Sequence, residues 1–184
     1  MKGELKLETP NLMLRKLTPT DVNDFLEYRG DPEVARYQGF NPMTLTEAKN
    51  FIEQQIPVEF KTPGEWYQYG IEDKSTKQII GDGAIKFFGE DNLMAELGIS
   101  LSRSRQNKGF AKETISYILS FLFQDIDFHR VMAIVDAENL NAIKLLTSLN
   151  FRQEGYFKEN IFFKGRWGSE IQFAMLREDF EKKL

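Results

Sequence analysis

The sequence predicts an α/β domain on a mixed, largely antiparallel sheet. Three features point there: three β-rich runs joined by turn residues from Trp66 onward, helical periodicity on both sides of that block, and a β-branched run, "RVMAIV", between two later helical segments. With 184 residues, 41% of them apolar, the chain can bury a substantial core. No repeat, low-complexity block or Pro/Gly/Ser linker interrupts it, so residues 1–184 read as a single domain.

In chain order, Leu12, Leu14 and Leu17 sit in a short extended run. "LTPTDVNDFLEYR" offers Thr20 as an N-cap ahead of Val22, Phe25, Leu26 and Tyr28 at helical spacing. "DPEVARYQGFNP" reads as a short capped helix ending in a loop. "TLTEAKNFIEQQI" reads as a helix capped by Thr46, with Ala48, Phe51, Ile52 and Gln55 in its stripe. The period then changes: "WYQYGIED", "QIIGDGAIKFF" and "NLMAELGISL" form an antiparallel meander turned at "KSTK" and "GEDN". A long helix from about Gly109 to Phe123, the strand "RVMAIV", the helix "ENLNAIKLLTSL" and a strand pair around "FRQEGYFK" and "EIQFAML" complete the chain.

Composition excludes several functions. The net charge of −4 argues against a chain-wide nucleic-acid footprint, and the absence of cysteine removes disulfides, cysteine-bound metal and a thiol nucleophile. "MKGELKLETPNLMLRKL" lacks the continuous apolar core of a signal peptide, and no window approaches the roughly 18 apolar residues of a membrane span. The expected location is the cytoplasm, with no membrane partner.

Within this acidic chain, Arg103, Arg105, Lys108 and Lys112 surround Gly109, at the mouth of the long helix, with only Glu113 to oppose them. A helix N-terminus carries unpartnered N–H groups and about half a positive charge, so it attracts anions. Gly109 has no Cβ to keep a bulky oxyanion from the backbone, and Ala111 keeps the next turn open. The alternative is a solvated charge run before an ordinary amphipathic helix.

The order of residues favours the first. "QNKGFA" resembles the Gln/Arg-x-x-Gly-x-Gly/Ala signature of GNAT (GCN5-related) N-acetyltransferases. "AELGISL" resembles that family's splayed central strand, and "VDAENLNAIKLLTSLNFRQEGYFKENIFFKGRW" and "ETPNLMLRKLTPTDVNDFLEY" resemble its Rim-type branch, the acetylators of ribosomal-protein N-termini and their relatives. The resemblance implies the acyl-CoA N-acyltransferase fold, acetyl-CoA as acetyl-donor cosubstrate, no metal, and an amine acceptor that is a small molecule, peptide or protein. Gln106, Asn107, Lys108, Gly109, Phe110, Ala111 and Lys112 would then hold the pyrophosphate. A strand that parts from its neighbour leaves amide groups that a pantetheine arm can pair with, through Ile99 and Leu101. Asn139 matches the family asparagine that contacts the same arm; as a helix N-cap it also has a purely structural reading. Tyr37 and Phe40 fall where the family builds its acceptor pocket.

Glu96, on the central strand and sharing a face with Gly98 and Ser100 by alternation, is the candidate general base, with a salt-bridged strand glutamate as the alternative reading. Two departures from the family stand out: its proton-donating tyrosine and serine positions read Leu146 and Ala142 here. Water then protonates the thiolate, or a residue such as Tyr156 or Ser148 does. Those departures also admit an acetyl-CoA-binding protein with little or no transfer. The family's acidic residue after "GRW" reads Ser169, followed by Glu170, and His129 reads as a turn residue. An exposed final strand could pair across a homodimer.

Overall fold

The computed structural model of the chain describes residues 4–89 and 93–182. Its strands are β1 (Lys6–Glu8), β2 (Leu12–Arg15), β3 (Trp66–Asp73), β4 (Ile79–Phe88), β5 (Met94–Leu101), β6 (Arg130–Asp136), β7 (Arg152–Phe163) and β8 (Arg166–Leu176). They form one sheet in the order β1-β2-β3-β4-β5-β6-β8-β7. Every neighbouring pair is antiparallel except β5 and β6, which run parallel. The helices are α1 (Val22–Arg29), α2 (Pro32–Ala35), α3 (Leu45–Gln55), α4 (Phe110–Ser120), α5 (Leu140–Ser148) and α6 (Arg177–Glu181). This is the mixed, largely antiparallel architecture expected.

Opposed residues in an antiparallel ladder share a face. Trp66, Lys86 and Glu96 therefore lie on one side of the central strands with Gln68, Ala84 and Gly98, while Tyr67, Ile85 and Leu97 lie on the other. The second set joins Ile115, Ile118 and Leu119 of α4 in the main core. Each fully buried aliphatic or aromatic side chain there contributes about 1.5–3 kcal/mol. A smaller cluster, including Leu17, Phe25, Tyr28, Ala48 and Ile52, seats α1–α3.

Two helix caps differ from expectation. Thr44, not Thr46, caps α3: its hydroxyl accepts from the Glu47 N–H at 3.3 Å while Glu47 Oε2 accepts from the Thr44 N–H at 2.7 Å. Only Thr44 has a glutamate three residues on, which a reciprocal capping box requires. Ahead of α1, Pro19–Asp21 forms a 3-10 turn capped by Thr18, whose N–H donates to Asp21 at 2.7 Å, and Asp21 rather than Thr20 stands at the N-cap of α1. The long helix ends at Ser120 and continues as one wide π-type turn, Phe121–Asp125. Strand β1 was not anticipated. The last hairpin is longer than read, because Lys164 (φ 50°) and Gly165 (φ 82°) make a tight two-residue turn that lets both strands extend. Glu90–Asn92 of the "GEDN" turn lie outside the described residues.

Strands β5 and β6 pair only through Met94–Arg130, Ala95–Val131 and Glu96–Met132, and beyond Glu96 they part. The Ser102 N–H donates to the Ile80 carbonyl at 2.9 Å, which sets the alternation of the β4–β5 ladder. Ser100, Gly98 and Glu96 spend their backbone groups on β4, and those of Leu97, Ile99 and Leu101 turn toward β6. The splayed central strand is present.

Candidate active site

Three cavities lie along the splay. A groove of about 670 Å³ runs from Ile99 and Leu101 past the start of α4 to Asn139 and α5. A narrower cleft of about 110 Å³ enters between β5 and β6, walled by Ile115, Ala133, Ala142 and Leu146. A pocket of about 170 Å³ opens beside Gly98 on the face carrying Trp66, Phe40 and Asp82.

Of the residues read as cofactor contacts, Ile99, Leu101, Gln106, Asn107, Gly109, Ala111, Lys112 and Asn139 line the groove. Phe110 does not, because it packs on the main core, and Lys108 is exposed outside the lining. Gly109 is the residue before α4, with φ 87°, and a Cβ there would meet nothing within 4 Å. Asn107 also has positive φ, 58°. The backbone thus turns sharply into the helix and leaves its first N–H groups facing open space. An oxyanion fits that geometry: space at Gly109, unpartnered donors at the helix start, and cations around it.

The charge at this corner is narrower than the sequence implied. Arg105 is turned away to Asp73 at 2.9 Å, whereas Arg103, 3.8 Å from Asp31, still lines the groove with Lys112, and Lys108 stands exposed beside it. Glu113 does not oppose them. Its carboxylate accepts from the Asn11 N–H at 2.8 Å and the Thr9 hydroxyl at 2.5 Å, tying α4 to the β1–β2 turn. Burial alone would push this carboxyl up, but the bonds from Thr9 and Asn11 more than offset it and hold it below the usual range.

Gln106 Nε2 donates to the Leu101 carbonyl at 3.0 Å, joining the loop to the end of β5. Asn139 Oδ1 caps α5 by accepting from the Ala142 N–H at 3.1 Å, and its residue lines both groove and cleft. The cap and the lining position coexist, since the cap uses only the oxygen.

Phe40 and Trp66 wall the pocket beside Gly98, and Arg29, Gln68 and Asp82 form its floor. Arg29 Nε donates to Asp82 Oδ1 at 3.0 Å, its Nη2 donates to Oδ2, and Gln68 Nε2 donates to the same Oδ2. The guanidinium lies 4.0 Å from the Phe40 ring centroid, a cation–π contact. Tyr28 is fully buried beside this pair, and burial first, then the Asp82 charge, push its phenol well above the ordinary value. Tyr37 does not line the pocket: it lines the cleft and the groove instead.

Glu96 faces Lys86 across the ladder, one row along the strand from Gly98, and lines none of the three cavities. Burial pushes its carboxyl above the usual range, Lys86 opposes this, and Glu170 adds to it. Ala142 and Leu146 line the cleft without a proton to give. Tyr156 is 57% exposed on β7, and the Ser148 hydroxyl donates to the Leu145 carbonyl at 2.8 Å. His129 is exposed, and its backbone bridges Leu93 and Arg177. Among the described residues no group of three or more His, Cys, Asp or Glu is arranged to hold a metal.

Sequence reading missed the pocket floor and Gln38, which reaches from the loop after α2 to the junction of all three cavities. Asp82 carried a signal, a carboxylate within the apolar run "IIGDGAI" that demands a partner once buried. Its partner, 53 residues away, carried none.

A splayed mixed sheet with an anion-accepting helix start beside the opening is the acyl-CoA N-acyltransferase fold. The model of the Acetyltransferase (GNAT) domain matches residues 11–152, and the chain belongs to the GNAT acetyltransferase family. It is 31% identical over 175 residues to the uncharacterized N-acetyltransferase p20 of Bacillus licheniformis, covering 95% of this chain and 97% of p20. It is 28% identical over 123 residues to the [ribosomal protein uS5]-alanine N-acetyltransferase of Escherichia coli, covering 66% of this chain and 63% of that protein. The crystal structure of a GNAT-family acetyltransferase from Bacillus anthracis superposes with a TM-score of 0.86 at 22% identity, covering 95% of this chain and 99% of that one.

Proposed function

We propose that this chain transfers the acetyl group of acetyl-CoA to a primary amine by direct attack in a ternary complex. The observation that carries the reading is the meeting, at Ile99, of the groove along the open seam with a separate pocket, so that donor and acceptor reach one point from two directions. The pyrophosphate would rest against the start of α4, with Gly109 leaving room and Lys108 and Lys112 supplying charge. The pantetheine amides would pair with the groove-lining backbone of Ile99 and Leu101, as an added strand does, in place of the Gln38 and Gln106 side chains that donate to those carbonyls. Holding both reactants in register contributes on the order of 7–11 kcal/mol in well-oriented reactions. Glu96 would accept the ammonium proton through water, and the thiolate would leave to solvent, because Ala142 and Leu146 offer no donor.

The acceptor is a protein N-terminus or a small amine. The Rim-type motifs and the likeness to an enzyme named for the alanine of uS5 support the first. The second reading, acetyl-CoA binding with little transfer, is favoured by the apolar side chains at Ala142 and Leu146. Purified protein, acetyl-CoA and a panel of N-terminal peptides, polyamines and amino acids, followed by release of free CoA, separate the two. Turnover of at least one amine supports transfer, whereas tight binding without turnover on any amine supports the second reading.

A further inference from the structure

Gln38 and Ile99 are the two residues that line the groove, the cleft and the acceptor pocket alike. Resting on the acetyltransferase reading above, we propose that Gln38 is a catalytic residue whose carboxamide N–H donates to the thioester carbonyl oxygen as the amine attacks.

Apart from the Ile99 backbone N–H, turned toward β6, the junction is poor in donors. Ala142, Leu145 and Leu146 close the cleft with hydrocarbon, and Gly98 has no side chain. Ser100 lines the pocket and groove but not the cleft, and Tyr37 and Asn139 line the cleft and groove but not the pocket. Gln38 alone brings a side-chain donor to the point where all three meet.

That donor is held weakly. Gln38 Nε2 lies 3.4 Å from the Ile99 carbonyl, long for an N–H···O bond. This carbonyl is one of the backbone groups turned toward β6. An amide-bearing arm laid along β5 would take it and release Nε2 into the junction, beside the arm's thioester end.

The backbone beneath Gln38 is fixed from two sides. Its own N–H donates to the Ala35 carbonyl at 2.9 Å, and Lys164, at the turn of the β7–β8 hairpin, donates to the same oxygen. Arg166 ties that hairpin to Glu138, just ahead of α5, by bonds of 2.8 and 2.7 Å. A donor on a fixed backbone needs little reorganisation when charge develops, which is what makes oxyanion stabilisation effective.

The step balances. The amine lone pair forms the C–N bond, and the carbonyl π pair moves to oxygen, whose negative charge the Gln38 N–H stabilises. The pair then returns, the C–S bond breaks, the thiolate leaves, and the ammonium proton passes through water to the Glu96 carboxylate.

The test compares wild type with Gln38→Glu, which keeps the shape but loses the donor, and Gln38→Met, which keeps the length without polarity. Steady-state kinetics use the best amine of the panel, with acetyl-CoA affinity measured by calorimetry and folding by thermal melting. The expected result for both variants is a kcat loss of about 10²–10³-fold with acetyl-CoA affinity within about threefold of wild type. A kcat within about threefold of wild type in a folded variant overturns the proposal, as does a loss carried by acetyl-CoA affinity at unchanged kcat. A wild-type protein that acetylates no amine overturns the acetyltransferase reading and this inference together, whereas an active wild type with undiminished variants overturns this inference alone.

Discussion

The Arg29 guanidinium and the Asp82 carboxylate form a two-pronged ion pair at the floor of the pocket beside Gly98, with side chains 7% and 1% exposed. Removing one member leaves the other charged in a site that water barely reaches. Asp82→Ala is expected to destabilise the fold by about 3–5 kcal/mol in urea unfolding. The double variant Arg29→Met with Asp82→Ala should cost less than the sum of the two single changes, because no orphaned charge remains. Strict additivity would show that the pair is not coupled.

At the helix corner, Gly109→Ala and Gly109→Leu separate strain from obstruction. Both pay for a Cβ at φ 87°, about 1–2 kcal/mol, while only leucine projects into the groove that Gly109 lines. Acetyl-CoA affinity by calorimetry should fall much further for leucine than for alanine. Equal affinities in two folded variants would remove the pyrophosphate from this corner.

Glu96→Gln tests the base. Because burial raises the Glu96 carboxyl, wild-type turnover should decline on the acid side earlier than an ordinary carboxylate would dictate, as the group protonates. The variant should lose about 10²-fold near neutrality and recover part of this at high pH, where the amine deprotonates unaided. Parallel pH–rate profiles would rule the role out.

Glu154 couples stability to acid. Arg130 and Arg152 hold its carboxyl down to about 2, from an ordinary value of 4.5. Its folded-state pKa lies below the unfolded one, so the contribution is present above about pH 4.5 and is lost as pH falls toward 2. Glu154→Gln should therefore melt below wild type at pH 7, with the gap closing in acid. A gap that persists unchanged at pH 2 would contradict the assignment.

The elements most legible in the sequence are those whose evidence is local. The meander from Trp66 and the stripes of α3, α4 and α5 follow from period and turn residues within a few positions. Caps were less legible, because several threonines compete near each helix start and only the geometry of Glu47 and Asp21 decides between them. The groove residues around Gly109 were found because they are contiguous. The Arg29–Asp82 floor and the junction at Gln38 were not, since each depends on strands and loops brought together from distant parts of the chain. Nor could the sequence tell which cavity Tyr37 lines: its neighbour Gln38 reaches the pocket, while Tyr37 lines the cleft and the groove.

The parting of β5 from β6 after Glu96 has a bearing on self-association. A row of unpaired amides on a sheet margin is ordinarily a template on which other chains add and aggregates grow. Here the row lies in the middle of the sheet, roofed by Ile115 of α4 and by Ala142 and Leu145 of α5. A second polypeptide strand, with side chains on both faces, meets those walls. The protein keeps the adhesive chemistry of an open margin while hiding it from its own kind.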